Sequence, residues 1–377
     1  MPPRSCLRYL SRRRFLQFST ATVSTLALAN CQRVGRNSTE PRAGITNSTP
    51  ANPDAPLYLY TWSDYADDEV FNRFTEVTGI PIQVQTYDSN ETMLTKLQTG
   101  GGQQFSILYP SDYMVQQMVA LELLATLDQT RLPGLADLRE PWQNPTYDPN
   151  NAHSVPLSWG TTGLIYDTTQ LSPGPTDWNY LWDQQRALAG KFTLLDDMRE
   201  TLGATLNALG YSYNATDPAQ LEAAFKRLQA LKPAIAAFQS FGWDDQLIAG
   251  DLALCMTYSH LGNALPAEHP NLKYIIPSSG SSLWTDTMVI PKTAPNPDAA
   301  YAWMNFMLEP ENAAFAVGKL GFATPSQSAF ALLPQELKDS ETLFPPESIL
   351  AKCQGIAPLE AAAAELFDRY WTELTSA

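Results

Sequence analysis

Residues 57–100, LYLYTWSDYADDEVFNRFTEVTGIPIQVQTYDSNETMLTKLQTG, contain the pattern that decides the fold. The apolar run at 57–62 predicts a strand, and the apolar residues of 67–78 recur at helical spacing. Gly79 is a typical helix stop, and 81–87 predicts a second strand. A strand, a helix and a strand in this order are typical of a parallel βαβ unit, which indicates an α/β fold.

The same alternation continues to the end of the chain. Further strands are predicted at 105–109, 153–166, 191–195, 252–258, 272–277 and 284–290, and further helices at 90–99, 112–124, 198–209, 217–231, 296–307 and 358–374. No short internal repeat is present, so a solenoid or a propeller is not expected.

The segment before this region has the features of an export signal. Residues 11–17, SRRRFLQ, resemble the twin-arginine pattern, in which two arginines, one free position and Phe-Leu follow each other. Gln17 stands where lysine is common. The apolar stretch 15–29 is too short and too polar to span a bilayer. We therefore predict a twin-arginine signal peptide over 1–30, with an arginine-rich Sec signal as the alternative.

The end of the signal has two interpretations. Residues 28–31, Leu-Ala-Asn-Cys, resemble a lipobox, whose cysteine is acylated, although Asn30 stands where a small residue is usual. The A-x-A motif at 27–29 is the alternative and would release a soluble protein. Residues 31–56 are polar and rich in Pro and Gly, which predicts a flexible linker. Such a linker suits a lipoprotein and favours lipidation of Cys31.

Charge and cysteine content restrict the partners. The chain has 24 Lys and Arg against 39 Asp and Glu, and five of the arginines lie in the first 29 residues, so the exported part carries a net charge near −20. This surface repels nucleic acid and anionic lipid and attracts small cations. Cys255 and Cys353 remain beyond the signal and could form one disulfide in an oxidising compartment.

From Leu57 onward the chain is similar to the spermidine/putrescine-binding proteins of bacterial ABC transporters. After 57–100, the motifs that carry this resemblance are YPSDYMV at 109–115, SVPLSWGTTGLIYD at 154–167, LLDDMRETLGATLNALGYSYNATDP at 194–218, LWTDTMVIP at 283–291 and GFATPS at 321–326. The resemblance implies a monomeric periplasmic protein that has no cofactor or metal, is not an enzyme, and delivers its ligand to membrane permease subunits.

The fold that the resemblance implies is a type II periplasmic binding protein fold with two discontinuous lobes joined by hinge segments. Lobe 1 is expected to comprise 57–162 and 285–330, and lobe 2 to comprise 163–284 and 331–377. The crossings are expected near 160–163, 286–290 and 328–334, and the ligand in the cleft between the lobes. Glycines at the crossing could absorb a hinge motion.

A polyamine site needs aromatic faces for the methylenes and cations and carboxylates for the ammonium groups. Asp286 interrupts an apolar strand, where an acid is unfavourable unless it is paired. The residues at matching family positions are Trp62, Ser63, Asp64, Tyr65, Ser111, Tyr113, Asp197, Glu200, Ser240, Tyr258, Trp284, Asp286 and Gln354.

The preferred polyamine depends on which family branch these positions resemble. Ser63-Asp64 is similar to the putrescine-preferring branch, whereas Tyr113, Asp197, Trp284 and Gln354 are similar to the spermidine-accepting branch. We therefore expect spermidine to bind better than putrescine. In addition, Phe322 stands where family members often have tyrosine, and Tyr258 and Cys353 stand where they have tryptophan.

Two other function classes have some support in the sequence. A secreted hydrolase could use paired acids such as Asp196, Asp197 and Glu200, but G-x-S-x-G, H-E-x-x-H and P-loop motifs are absent from the sequence. A ferric-ion or other cation-binding protein of the same fold is the second alternative. That branch uses adjacent tyrosines, whereas Tyr211 and Tyr213 are separated by a serine.

Overall fold

The computed structural model describes residues 55–376. Its strands are β1 (Leu57–Trp62), β2 (Ile82–Tyr87), β3 (Ile107–Leu108), β4 (Ser154–Asp167), β5 (Phe192–Leu194), β6 (Ala237–Phe238), β7 (Leu254–Tyr258), β8 (Leu272–Ile275) and β9 (Leu283–Val289). Its helices are α1 (Asp68–Thr78), α2 (Asn90–Gln98), α3 (Asp112–Ala120), α4 (Glu140–Gln143), α5 (Tyr180–Asp183), α6 (Met198–Ala208), α7 (Pro218–Leu231), α8 (Asp244–Ala249), α9 (Ser259–Glu268), α10 (Pro297–Leu308), α11 (Pro310–Leu320), α12 (Gln327–Leu332), α13 (Gln335–Lys338), α14 (Glu347–Leu350) and α15 (Ala361–Thr375).

The first sheet is built around β1, which pairs in parallel with β2 and β3. β9 joins it antiparallel to β3 and to the first part of β4, so the order is β2-β1-β3-β9-β4. Leu57 and Leu59 pack with Phe74 of α1 on one face, while Tyr60 packs with Met93 of α2 on the other. This follows from the alternation of side chains along a strand.

β4 continues from the first sheet into a second one. Its residues 154–161 pair with β9, whereas residues 162–167 pair with β7 and β8. β5 and β6 follow beside β7. The change of partner between Thr161 and Thr162 lies inside the segment 160–163, where the sequence predicts the first crossing. Two α/β units joined by a shared strand confirm the predicted fold class.

The sheet of the second lobe is covered on both faces. Leu254 and Met256 of β7 share a core with Leu202 of α6, and Cys255 points to the other face, where Trp243 is fully buried. Cys255 and Cys353 are both free thiols, and burial raises the pKa of Cys255 to about 12. The disulfide that the cysteine count permits is therefore not formed in this structure.

Two of the expected lobe boundaries differ from the packing. The segment expected to hold the second crossing, 286–290, overlaps β9, which already pairs within the first sheet from Leu283. Leu333 and Leu343, assigned from sequence to the second lobe, are buried in the first lobe's core, whereas Cys353 packs in the second lobe. We therefore propose that the last crossing lies between residues 345 and 353.

The glycines at the first crossing are required by close packing. A Cβ at Gly160 would lie 2.3 Å from Cζ2 of Trp284, and a Cβ at Gly163 would lie 2.2 Å from the carbonyl oxygen of Ile275. Neither distance is compatible with a side chain. Gly160 therefore lets the indole of Trp284 in β9 approach β4, and Gly163 lets the backbone of Ile275 in β8 approach it.

The predicted signal peptide, Cys31 and all but the last two residues of the predicted linker lie outside the described residues. Within residues 55–376, no helix has both the length and the apolar character that a membrane span requires.

Candidate functional site

A cavity of about 680 Å³ lies between the two lobes. Most of its lining comes from β9 and from residues at or just after the ends of strands β1, β2, β3, β5, β6 and β7, which is the usual ligand position in open α/β sheets. Eleven of the thirteen predicted ligand-binding residues line it: Trp62, Asp64, Tyr65, Ser111, Tyr113, Asp197, Glu200, Ser240, Tyr258, Trp284 and Asp286.

Ser63 and Gln354 are the two predicted residues that do not line the cavity. The hydroxyl of Ser63 is exposed and lies 3.5 Å from Asp64. Oε1 of Gln354 accepts a hydrogen bond of 2.6 Å from Ser212, and the backbone of Gln354 bridges to Ser282. The side chain of Gln354 thus connects two loops of the second lobe in this structure.

Asp286 is a buried carboxylate held by hydroxyl groups. It lies in β9, and Ser111, after β3, and Tyr65, after β1, donate hydrogen bonds of 2.8 Å to its two oxygens. Burial raises the pKa of Asp286 to about 6, although these two hydrogen bonds lower it. Asp112 beside it is also buried, which raises its pKa to about 8. Removing water from these carboxyls therefore favours their protonated forms.

Asp197 and Glu200 form the acidic part of the second lobe. Asp197 caps α6, because its Oδ1 accepts the backbone N–H groups of Arg199 and Glu200 at 2.8 and 3.0 Å. Tyr213 and Ser282 donate hydrogen bonds of 2.7 and 2.8 Å to Glu200. Burial raises the pKa of both carboxyls, and the charge of Asp197 raises that of Glu200 further.

Aromatic rings form the apolar walls of the cavity. Nε1 of Trp62 donates to the carbonyl of Tyr109 over 2.8 Å, which fixes the orientation of the indole. Trp284 meets Tyr258 edge to face, with ring centroids 6.1 Å apart. Tyr65 stacks on Phe322, with ring centroids 4.2 Å apart. Phe322 therefore contributes packing at the position where the family often has a tyrosine hydroxyl.

The structure adds residues that the sequence interpretation did not assign to the site. Asn90 and Glu91 begin α2, directly after the strand β2, and both line the cavity. Asn90 donates to the hydroxyl of Tyr113 over 3.0 Å, and that hydroxyl donates to Glu91 over 3.2 Å. Their place after a parallel strand was the signal that could have identified them. His260 and Arg199 also line the cavity.

Acidic groups predominate in the cavity. Its carboxylates are Asp64, Asp88, Glu91, Asp112, Asp196, Asp197, Glu200, Asp286 and Asp368. Arg199 and His260 are the basic side chains in the lining, and Nη2 of Arg199 is directed to the carbonyl oxygen of Ala357 at 2.8 Å. Aromatic walls with an excess of carboxylates suit an elongated organic cation.

Comparisons with known proteins agree with this geometry. Residues 69–345 match the family described as bacterial extracellular solute-binding protein. The spermidine/putrescine-binding periplasmic protein of Escherichia coli is 32% identical over 327 residues, which are 86% of this chain and 92% of that protein. The predicted resemblance is thereby confirmed.

Solved structures show the same architecture. A putative spermidine/putrescine ABC transporter protein from Listeria monocytogenes superposes with a TM-score of 0.80 at 36% identity, over 85% of this chain and 99% of that one. The spermidine/putrescine ABC transporter substrate-binding protein of Streptococcus pneumoniae gives a TM-score of 0.75 at 36% identity, over 86% and 99%.

These matches also decide against the secreted hydrolase considered from sequence. The matched family and the relatives consist of solute-binding proteins, which confirms the prediction that the chain is not an enzyme. This protein belongs to the family of bacterial extracellular solute-binding proteins.

Proposed function

We propose that this protein captures a polyamine outside the cytoplasm, prefers spermidine to putrescine, and delivers it to the membrane permease subunits of an ABC importer. The observation that carries the proposal is the environment of the carboxyl groups of Asp286 and Glu200. Both are buried and hydrogen-bonded to hydroxyls, and within residues 55–376 neither forms an ion pair with a lysine or arginine. A buried carboxylate without a cation is unfavourable. An ammonium group in the cavity supplies that cation.

The preference for spermidine rests on three carboxylates that the two lobes present to the cavity. Asp286 offers one carboxylate from β9, and Asp197 and Glu200 offer two more at the start of α6. A triamine can place one ammonium group at each of three carboxylates, whereas a diamine leaves one of them unpaired. Trp62 and Trp284 would contact the methylene groups between the ammonium groups and attract the cations.

Calorimetric titration of the mature protein tests this function directly. Spermidine should bind, putrescine should bind more weakly, and glutamate and glucose should not bind. A ligand that binds only the folded form adds about 2.7 kcal/mol to the free energy of unfolding at a hundredfold excess over its Kd. An absence of heat and of thermal stabilisation with every polyamine would contradict the proposal. A visible charge-transfer band on addition of ferric ion would favour the alternative that the protein binds ferric ion.

We propose in addition that the protein is exported by the twin-arginine route, anchored through acylated Cys31, and active as a monomer. The support is the sequence of residues 11–17 and 28–31 and the polar segment that follows them. The acyl chain would be the protein's contact with the membrane when no permease is bound.

A further inference from the structure

His260 lies in the lining of the cavity and connects the two lobes. It lies in the first turn of α9, directly after β7 of the second lobe, whereas Asp64 lies in the turn after β1 of the first lobe. Nε2 of His260 is 2.7 Å from Oδ2 of Asp64. The side chain of His260 is 7% exposed and that of Asp64 is 26% exposed. This pair is therefore a partly buried bond across the cleft.

The imidazole of His260 is also packed against the ligand-binding end of the first lobe. Its ring centroid lies 4.4 Å from that of Phe322, and Phe322 stacks on Tyr65. Tyr65 in turn donates to Asp286. A continuous set of contacts thus runs from α9 to the carboxylate of Asp286, and Asp64 is held beside it.

Asp64 provides the main polar contact that holds His260. Nδ1 of His260 is buried and has no hydrogen-bond partner within residues 55–376. The ring of Tyr258 is stacked nearly parallel to the imidazole of His260, with ring centroids 6.2 Å apart. The buried imidazole of His260 gains most of its polar stabilisation from its bond to Asp64. The geometry therefore strongly favours the conformer of His260 that makes this bond.

We propose that His260 is a specificity-determining residue of the cleft. By holding Asp64 across the cleft, it withdraws that carboxylate from the ligand and closes the end of the site beyond Asp286. The inference rests on the proposed polyamine function. A ligand whose terminal ammonium group pairs with Asp286 then cannot extend further, so His260 limits the length of the polyamine that the closed form accepts.

Putrescine, spermidine and the tetraamine spermine are suitable probes of this limit. In His260→Ala, the freed Asp64 can pair with an additional ammonium group in the widened end. The ratio of spermine affinity to putrescine affinity should rise about tenfold, as expected for one added charge-assisted hydrogen bond. His260→Gln retains an amide donor for Asp64 and should give a ratio closer to that of the wild type.

Two further variants separate the effect of the His260–Asp64 bond from a general packing effect. Asp64→Asn combined with His260→Ala should lose most of the gain for spermine, because the neutral amide cannot pair with the ammonium group. His269→Ala is the matched control, since His269 ends the same helix and does not line the cavity. Its affinity ratio should equal that of the wild type. An unchanged ratio in folded His260→Ala would overturn the proposal.

Small-angle scattering of the ligand-free protein gives a readout that needs no polyamine. If the pair joins the lobes, His260→Ala and Asp64→Ala should both increase the radius of gyration, and His269→Ala should not. Should the wild type bind no polyamine, the proposed function fails and with it the length limit, while scattering still reports on the bond between the lobes. Equal radii in all variants would overturn the bond's role in closure.

Discussion

The hydroxyl of Tyr65 donates a hydrogen bond of 2.8 Å to Oδ2 of Asp286, and the two residues are 221 positions apart in the chain. Tyr65 follows β1, which lies between β2 and β3, and Asp286 lies in β9, which pairs with the shared strand β4. Ser111 occupies the other oxygen of the carboxylate. Asp286 is thus oriented by neutral donors before a ligand arrives, while its negative charge remains uncompensated by a lysine or arginine in the described chain.

The first prediction concerns that charge. Asp286→Asn should weaken the binding of spermidine and putrescine alike, by more than about a hundredfold, since an unpaired cation in a closed cleft is unfavourable by roughly 3–5 kcal/mol. The stability of the ligand-free protein should not fall, because the variant removes a buried charge. Calorimetric titration and thermal unfolding measure the two effects.

Asp148 provides the matched control for this variant. It is equally buried but lies outside the cavity, and it accepts the backbone N–H groups of His153 and Ser154 at 2.9 and 2.7 Å. Asp148→Asn should lower stability and leave polyamine affinity unchanged. Wild-type affinity in Asp286→Asn would refute the role assigned to Asp286.

The second prediction concerns pH. Burial raises the pKa of Asp286 to about 6 and that of Asp112 to about 8, so the folded protein binds more protons than the unfolded chain above pH of about 4. The free energy of unfolding of the ligand-free protein should therefore decrease as the pH rises from about 4 to about 8. Ammonium groups favour the ionised carboxyls, so polyamine affinity should increase over the same range.

Proton release on binding distinguishes this linkage from a general effect of charge. The heat of binding should depend on the ionisation enthalpy of the buffer near neutral pH, and Asp112→Asn should reduce that dependence. Affinity that is constant between pH values of about 5 and 8 would show that the raised pKa values are not coupled to the ligand.

The third prediction concerns Gly160 in β4, the strand that the two lobes share. In Gly160→Ala the new methyl group would meet the benzo edge of Trp284, which forms one wall of the cavity. Overpacking of this kind lowers the free energy of unfolding by about 1–3 kcal/mol, and the displaced indole should also weaken polyamine binding. Gly318→Ala is the control, because no atom lies within 4 Å of a Cβ there. Unchanged unfolding and affinity in Gly160→Ala would contradict this account.

The sequence predicted best those features that depend on short-range pattern. Short segments with strand-like residue patterns predicted the strands of the first sheet. The side chains that follow a parallel strand, such as Trp62 and Ser111, lie in the cavity because the carboxyl ends of such strands meet at one edge. Asn90 and Glu91 follow the same rule, but they are not among the residues at matching family positions, so the sequence did not assign them to the site.

Side-chain direction in loops was less predictable. Gln354 occupies a position near the cleft, yet its amide oxygen accepts from Ser212, because the loop after α6 passes beside it. His260 follows Tyr258 by two residues, and its bond to Asp64 depends on how the lobes meet. Hydrophobic periodicity contains no information about that arrangement. The burial of Leu333 and Leu343 in the core of the first lobe depends on tertiary packing in the same way.

The fourth prediction concerns export. Replacing Arg12 and Arg13 together by lysine should leave precursor in the cytoplasm while Sec-dependent proteins are still exported. Cys31→Ala should move the protein from the membrane fraction to the soluble periplasmic fraction. Normal export of the double variant would favour the Sec alternative, and an unchanged distribution of Cys31→Ala would favour cleavage at residues 27–29.

The last prediction concerns the choice between spermidine and putrescine. Asn caps a helix about as well as Asp, so Asp197→Asn should keep the hydrogen bonds to the backbone of α6 and remove only the charge. Spermidine affinity should fall about tenfold or more, because the third ammonium group loses its carboxylate, while putrescine affinity should change less. Titration of both ligands measures the ratio directly.

Asp217 provides the matched control for this experiment. It caps α7 by accepting the backbone N–H groups of Ala219 and Gln220, each at 3.0 Å. Asp217 is exposed and does not line the cavity. Asp217→Asn should alter neither affinity. If Asp197→Asn lowers the affinities of spermidine and putrescine by the same factor, Asp197 acts on both ligands and the preference must come from another residue. If only the spermidine affinity falls, the carboxylate at the start of α6 recognises the end of the ligand that putrescine lacks.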